Sequence, residues 1–313
     1  MQVRAQFPDE QAEDGSFVRQ DDAFRDWVRA DPNARYPAVA GRYHLYVSYA
    51  CPWAHRTIIM RRRKGLERAI GMTVVDPVRD ERGWAFRDVP GAPKDPLNGW
   101  AFLSEAYFAT DPGYQDRVTV PVLWDSQTKR IVSNSDDDIL RMFETEFEAL
   151  ASDHTDYYPR DLAREIDALN ETIYHDVNNG VYKAGFATTQ RAYEKAAYKV
   201  FERLDEMESR LATRRYLFGQ RPLETDWRFF VTLVRFDPVY VGHFKCNLRR
   251  IADYKNLYGY LRDLYQLDGV AETVNFDHIK RHYYYTHDDI NPTRIVPIGP
   301  AQDLMAPHGR ENL

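Results

Sequence analysis

Cysteine is nearly missing: the 313 residues contain only Cys51 and Cys246. That count excludes a disulfide scaffold, and neither residue belongs to a Cys/His cluster with zinc-ligand spacing, so no metal site is expected. Such sparse usage fits a reducing cytoplasm. No run of about 18 apolar residues occurs, so no membrane span is expected. Residues 1–22 are polar and acidic and lack the apolar core of a secretory signal. Positive charge is not in excess either. Lys and Arg total 42 against 48 Asp and Glu, and the net charge of −6 argues against nucleic acid as a partner. The Arg-rich stretch Arg61-Arg62-Arg63-Lys64 is short and suits a helix C-terminus, where cations oppose the negative dipole end. Tyrosine, by contrast, is plentiful at 21 residues, several of them beside turn or helix-end signals in the second half.

The most informative residues are Cys51-Pro52-Trp53-Ala54-His55. They follow the strand-like run Tyr43-His44-Leu45-Tyr46-Val47-Ser48 and open the helix-like run Arg56-Thr57-Ile58-Ile59-Met60-Arg61. A cysteine at such a turn meets free N–H groups and the positive helix end, which favour a thiolate. Pro52 suits the first helical turn, where its missing N–H costs nothing. A dithiol site would need a second cysteine at position 54, which is Ala54. The site is therefore monothiol. Cys51 can form a mixed disulfide, and its resolving thiol must come from elsewhere. Cys246 reads as a buried structural thiol and His55 as a packing or capping residue.

Residues 1–41 read as an extension ahead of the first strand, with a short helix at Phe24-Arg25-Asp26-Trp27-Val28. A βαβ pattern follows: strand 43–48, helix 52–64, strand 72–76. The connection 77–117 is long and rich in Gly, Pro and Asp, the mark of an insert. It contains Gly-Trp-Ala-Phe at 83–86 and again at 99–102, which chance explains. Val118-Thr119-Val120-Pro121-Val122-Leu123-Trp124 and Arg130-Ile131-Val132 read as a β-hairpin. Pro121 is anomalous inside a strand, since it removes a ladder donor, and a cis peptide at a sheet edge would accommodate it. Ser133-Asn134-Ser135-Asp136-Asp137-Asp138 then opens an amphipathic helix through Phe147. Beyond residue 158, helical patterns fill 160–178, 189–213, 224–236 and 251–266. At Leu223-Glu224-Thr225-Asp226, Thr225 is the expected cap. The predicted fold is α/β plus all-α: a thioredoxin-like domain over 42–150, then a helical domain over 158–313. That is the architecture of glutathione transferases.

At the level of motifs the chain resembles the glutathionyl-hydroquinone reductases, the Xi class of glutathione transferases, over roughly residues 17–295. The resemblance is carried by Arg42-Tyr43-His44-Leu45-Tyr46-Val47-Ser48 running into Cys51-Pro52-Trp53-Ala54-His55-Arg56, and by Arg117-Val118-Thr119-Val120-Pro121-Val122-Leu123-Trp124. Val177-Asn178-Asn179-Gly180-Val181-Tyr182-Lys183-Ala184-Gly185-Phe186-Ala187, Arg235-Phe236-Asp237-Pro238-Val239-Tyr240, His243-Phe244-Lys245-Cys246-Asn247 and Lys280-Arg281-His282-Tyr283-Tyr284 complete it. The resemblance implies a dimeric cytoplasmic enzyme that reduces glutathionyl-hydroquinones to hydroquinones with glutathione as co-substrate. It implies that Cys51 is the nucleophile and Tyr182 the proton donor. Tyr240 and Tyr283 would line the aromatic pocket and favour the Cys51 thiolate. Trp84 and Arg117, Val118, Thr119 and Val120 would hold the thiol.

The chain departs from the family at Ser135-Asp136, where Glu-Ser is usual. The pair can swap jobs, Ser135 taking the glutathione α-carboxylate and Asp136 its ammonium. Yet Asp136, Asp137 and Asp138 together set three carboxylates against an anionic ligand end. A thiol without a γ-glutamyl group, such as mycothiol, is the alternative co-substrate. A non-catalytic binding protein is the alternative of another class, and retention of Cys51 with three site tyrosines argues against it.

Overall fold

The structure, a computed structural model, describes residues 10–313. It divides into two compact units. The sheet unit comprises Asp21–Asp156 and Glu272–His282. The helical unit comprises the described part of Met1–Gln20, Tyr157–Ala271 and Tyr283–Leu313. The segment read as one N-terminal extension is thus shared between the units at residue 20, and its first nine residues lie outside the described ones.

In the sheet unit, β1 (Tyr43–Val47) leads through α1 (Pro52–Arg63) to β2 (Gly71–Val74), which pairs parallel with β1. β3 (Val122–Asp125) runs antiparallel between β1 and β4 (Arg130–Ser133), giving the order β2-β1-β3-β4. This is the thioredoxin-type arrangement. Leu45, Val47, Val122 and Leu123 are buried on the sheet, with Ile59 of α1 and Ile139 of α3 (Asp136–Thr145) among the buried core residues. Arg42 donates to Asp125 in a buried bidentate pair at 2.9 and 2.6 Å. The same carboxylate accepts from the Gln127 N–H and the Thr128 hydroxyl, so one group fixes both the start of β1 and the β3–β4 turn. Removing either partner would strand a buried charge, at a cost of about 3–5 kcal/mol.

Three local expectations are corrected, while the cis peptide expected at Pro121 is present. β3 begins at Val122, so Pro121 precedes the strand, and the Val120–Pro121 peptide is cis. Residues 24–28 are extended, with no helix there: Arg25 pairs antiparallel with Ser133, and the Asp26 N–H donates to the Val132 carbonyl at 3.0 Å. The segment covers the outer edge of β4, and a covered edge offers no open ladder to other chains. The two Gly-Trp-Ala-Phe copies are partners. The Phe86 N–H donates to the Ala101 carbonyl and the Leu103 N–H to that of Trp84, both at 2.9 Å. Gly83 and Gly99 both take positive φ, 93° and 74°, where a side chain would strain the backbone. The insert also holds a short helix, α2 (Ser104–Thr110), with no counterpart in the sequence reading.

The helical unit contains α4 (Ala163–Ile173), α5 (Gly180–Gly185), α6 (Gln190–Arg210), α7 (Glu224–Arg235) and α8 (Lys255–Gln266). Every residue of α7 is buried, so it forms the centre of this unit. Its N-cap is Leu223, whose N–H is taken by the Asp226 carboxylate at 2.8 Å. Thr225 does not cap: its hydroxyl is buried without a hydrogen-bond partner. Asp226 also accepts from the Leu217 N–H and the Tyr260 hydroxyl. Burial nevertheless outweighs these bonds and raises its pKa to about 6. Three π-helical turns, Tyr174–Asn178, Phe236–Tyr240 and His282–Thr286, continue α4, α7 and the late helix α9 (Phe276–Arg281). In the second, Pro238 lacks the N–H that a regular turn would use. These turns re-aim the chain where the site tyrosines stand.

Candidate active site

Cys51 is the N-cap of α1, with extended backbone (φ −76°, ψ 120°) and Pro52 at the first helical position. β1 delivers it and α1 begins on it, as strand–Cys-Pro–helix requires. The residue is half-buried, and its thiol lies 3.5 Å from the Val120 carbonyl. Of the proposed thiol-holding stretch, Val120 therefore touches Cys51. Thr119 is tied down by Tyr107, whose hydroxyl lies 2.9 Å from its carbonyl, and by Asn134 at 3.0 Å. The Arg117 carbonyl accepts from Tyr114 at 2.7 Å. Val118 lies between them outside any strand. Position 54 holds a buried alanine, and His55, wholly buried, bonds Thr273 at 2.8 Å. His55 is packed inside the sheet unit.

Ser135 is buried and caps α3. Its hydroxyl accepts from the Asp138 N–H at 3.3 Å. Asp136 accepts from Arg56 at 2.8 Å, and Asp137 from the same guanidinium at 3.1 Å. Asp138 is held bidentate by Arg25 at 2.7 and 2.9 Å. The premise of three bare carboxylates is thus corrected: the charges are met by two arginines. Arg56 lies on α1, one helical turn beyond Pro52, with its guanidinium 4.8 Å from the Trp53 ring centroid. Its place in the motif was visible in the sequence, its pairing with Asp136 was not. Trp84 is buried and stacks on His282 at 5.0 Å between centroids and 22° between planes, which anchors the insert.

The tyrosines belong to the helical unit, and there the structure brings all three together. Tyr182 on α5, Tyr240 at the end of its π-turn and Tyr283 in the next are buried. Their hydroxyls form a chain: Tyr182 to Tyr283 at 2.5 Å, Tyr283 to Tyr240 at 3.2 Å. Burial first, then the charge that a neighbouring tyrosinate would carry, raises Tyr240 and Tyr283 well above the ordinary phenol range. Both are therefore protonated donors near neutral pH. Phe244 lies flat on Tyr240 (5.5 Å, 13°) and meets Tyr182 and Tyr283 edge-on. Its place is available because residue 185 is glycine, where an added Cβ would come within 2.2 Å of the ring. Arg235, fully buried on α7, supplies positive charge that opposes the rise at Tyr240 and Tyr283. Phe244 and Arg235 stand in the motifs that carry the resemblance, but sequence alone assigns neither a role, because nothing in their spacing separates them from core residues. Cys246 is buried and its thiol is pushed up to about 12, so it is inert.

A thioredoxin-type sheet with a cysteine at the α1 N-cap, followed by an all-helical unit, defines a glutathione transferase of the cysteine type. Residues 50–146 match the family model described as glutathione S-transferase, N-terminal domain, and residues 190–263 that of the C-terminal domain. The chain is 56% identical to glutathionyl-hydroquinone reductase YqjG of Escherichia coli K12, covering 95% of this chain and 93% of that protein. The glutathione-bound structure of YqjG superposes with a TM-score of 0.89 over 92% of this chain and 96% of that one. Glutathionyl-hydroquinone reductase PcpF of Sphingobium chlorophenolicum is 47% identical over 95% of this chain and 93% of its own length. A Xi-class transferase from Natrialba magadii superposes with a TM-score of 0.91 at 50% identity, over 93% of this chain and 89% of that one. The chain belongs to the Xi class of glutathione transferases, among the glutathionyl-hydroquinone reductases.

Proposed function

We propose that this protein reduces glutathionyl-hydroquinones to hydroquinones, with glutathione as co-substrate. The observation that carries the reading is the single cysteine at the α1 N-cap, with alanine where a resolving cysteine would stand. The Cys51 thiolate attacks the sulfur of the substrate thioether. The carbon–sulfur bond breaks and its electron pair passes to the aryl carbon, which takes the Tyr182 proton as it leaves. Cys51 is left in a mixed disulfide with glutathione. A second glutathione thiolate attacks that disulfide, releasing glutathione disulfide and restoring Cys51. Tyr240 and Tyr283 donate hydrogen bonds to substrate oxygens or to the thiolate and stack with the hydroquinone ring.

Glutathione binding rests on Trp84, the backbone from Arg117 through Val118 and Thr119 to Val120, and the start of α3, where Ser135 caps the helix and Asp136 is held by Arg56. With Asp136 held by Arg56, the α3 end carries less net negative charge than its sequence suggests, which favours glutathione over a thiol without a γ-glutamyl group. No helix among the described residues is long and apolar enough to cross a membrane. We place the enzyme in the cytoplasm, where glutathione is reduced, as a homodimer. We take the domains as 42–150 and 158–313 after an N-terminal extension, with residues 21–41 and 272–282 joined to the compact sheet unit. Mass spectrometry of Cys51 after reaction with a glutathionyl-hydroquinone in the absence of free glutathione tests the reading: an adduct of one glutathione that added glutathione removes is expected, and an unmodified or differently modified Cys51 under those conditions overturns it.

A further inference from the structure

Residues 10–20 belong to the helical unit, and they are fastened there at two points. Gly15 is the first. Its carbonyl accepts from the Thr188 N–H at 3.1 Å, and the Asp14 carbonyl accepts from the Thr189 hydroxyl at 2.9 Å. Gly15 has φ +84°, and a Cβ there would meet Thr189 at 2.6 Å, so the contact needs glycine on both counts. Phe17 is the second: it is buried against Phe186, 5.4 Å between ring centroids, just beyond α5. Two residues on, Arg19 reaches α5. Its Nε donates to Asn179 Oδ1 at 3.0 Å, and its guanidinium carbon stands 4.8 Å from the centre of the Tyr182 ring. A segment that the sequence shows only as an extension thus delivers a cation to the face of the candidate proton donor.

A phenol that gives up its proton becomes an anion, and the surroundings of Tyr182 decide how easily. The groups that face it are Tyr283 and Tyr240 from the two π-turns, Arg235 from α7 behind them, His287 and His243 through Phe186 and Phe244, Lys183 on its own helix, and Arg19. Tyr240 and Tyr283 resist ionisation, and each disfavours charge on a neighbouring tyrosine. Arg19 acts the other way. A guanidinium over a ring attracts a phenolate more strongly than a phenol, and it cannot lose its own proton in the exchange.

We propose that Arg19 is a positioning residue for the general acid: held over Tyr182 by Asn179 and by the Gly15–Phe17 anchor, it stabilises the negative charge left on Tyr182 as the proton passes to the departing aryl carbon. The inference rests on the reading of Tyr182 as that acid. Arg19 then matters for carbon–sulfur cleavage and not for resolving a mixed disulfide, where no proton goes to carbon.

The test uses the full chain and two assays: cleavage of a synthetic glutathionyl-hydroquinone, and reduction of a small glutathione mixed disulfide. Arg19→Gln retains a hydrogen bond to Asn179 but removes the charge. It should lower kcat for thioether cleavage roughly 3- to 30-fold, the scale of a desolvated cation–π contact, with KM and disulfide reduction little changed. The alkaline limb of the kcat profile should move up by about 0.5–1 pH unit. Arg19→Lys should recover part of the loss, and Arg19→Gln should cost nothing further in a Tyr182→Phe background. Equal losses in both assays, an unmoved pH profile, or a raised KM with intact kcat overturns the inference. If Tyr182→Phe itself slows both assays equally, the general-acid reading fails and this inference falls with it. If Tyr182→Phe is selective and Arg19→Gln is not, the inference alone fails.

Discussion

In the sheet unit the neighbours of the candidate residues are backbone and ions: the Val120 carbonyl at Cys51 and, at the start of α3, two guanidiniums spread over three carboxylates. Around Tyr182 they are rings: Tyr240, Tyr283, Phe186 and Phe244, with one guanidinium on the face. In the proposed reaction the first environment takes a polar peptide and its thiol, and the second takes a flat aromatic substrate and supplies a single proton. An anion in the first is met by helix-end N–H groups and solvent-screened charge. An anion in the second has little solvent to screen it, so each fixed charge there counts for more. Substitutions in the two regions should therefore separate the reaction into its two halves.

The largest expected effect is at Cys51. Cys51→Ser should abolish turnover on both thioether and mixed disulfide while the melting temperature is retained, and measurable turnover would sink the nucleophile assignment. Cys246→Ser should keep most activity, because that thiol is buried and pushed up to about 12. Loss of activity there would make Cys246 the resolving thiol. Next comes Tyr182→Phe, with a slowing of thioether cleavage by ~10²-fold or more, the usual scale for general acid catalysis, and a much smaller effect on the mixed disulfide. Equal slowing of both would assign Tyr182 to packing.

A third comparison concerns stability, not rate. Asp226 is wholly buried, and its pKa is raised to about 6 from an ordinary 3.8. Between those values the native state holds a proton that the unfolded chain has released. The contribution is therefore complete below about pH 4 and is lost as pH rises through about 6, a change of roughly 3 kcal/mol. Asn at this position cannot ionise, so Asp226→Asn should look worse at pH 4.5 than at pH 7.5. Urea midpoints at both pH values measure the difference, and a gap independent of pH would show that Asp226 does not change its protonation on folding.

Much of the sheet unit was legible because its signals are local. Alternation marks β1, Cys-Pro marks the start of α1, and Ser135 with its aspartates marks the start of α3. The 3.6-residue period did the same for α6 and α7. What stayed hidden depends on contacts distant in sequence. Phe24 to Val28 has helical spacing, yet the free edge of β4 offers that backbone a partner that the segment alone cannot reveal. The Gly-Trp-Ala-Phe copies look like coincidence until their backbones pair. Leu223 caps α7 through a carboxylate three residues on, where a hydroxyl was expected. The tyrosines were named from family resemblance, but their shared hydrogen-bond chain needs π-turns that no periodicity announces. Arg19 lies 163 positions from Tyr182 in the sequence, beyond the reach of any motif.

The smallest effect is expected where the chain departs from its family, and it bears on which thiol the sheet unit holds. Asp136 was troubling as a bare carboxylate beside an incoming α-carboxylate. In the structure it is bound to Arg56 at 2.8 Å, and Asp137 shares the same guanidinium. Replacing Asp136 by Ser removes one negative charge at the helix N-terminus, but that charge is already largely met. Arg56 does not lose its only carboxylate, since Asp137 remains. Asp136→Ser should therefore tighten glutathione binding only about 2- to 10-fold, within roughly 1.4 kcal/mol, as suits a partly exposed charge near the ligand. Titration calorimetry of both proteins with glutathione measures it. Tightening well beyond tenfold would mean that Asp136 repels glutathione and that the native co-substrate lacks a γ-glutamyl carboxylate. Weaker binding would mean that Asp136 is the ammonium partner, with Ser135 at the carboxylate, and that the two residues have exchanged roles.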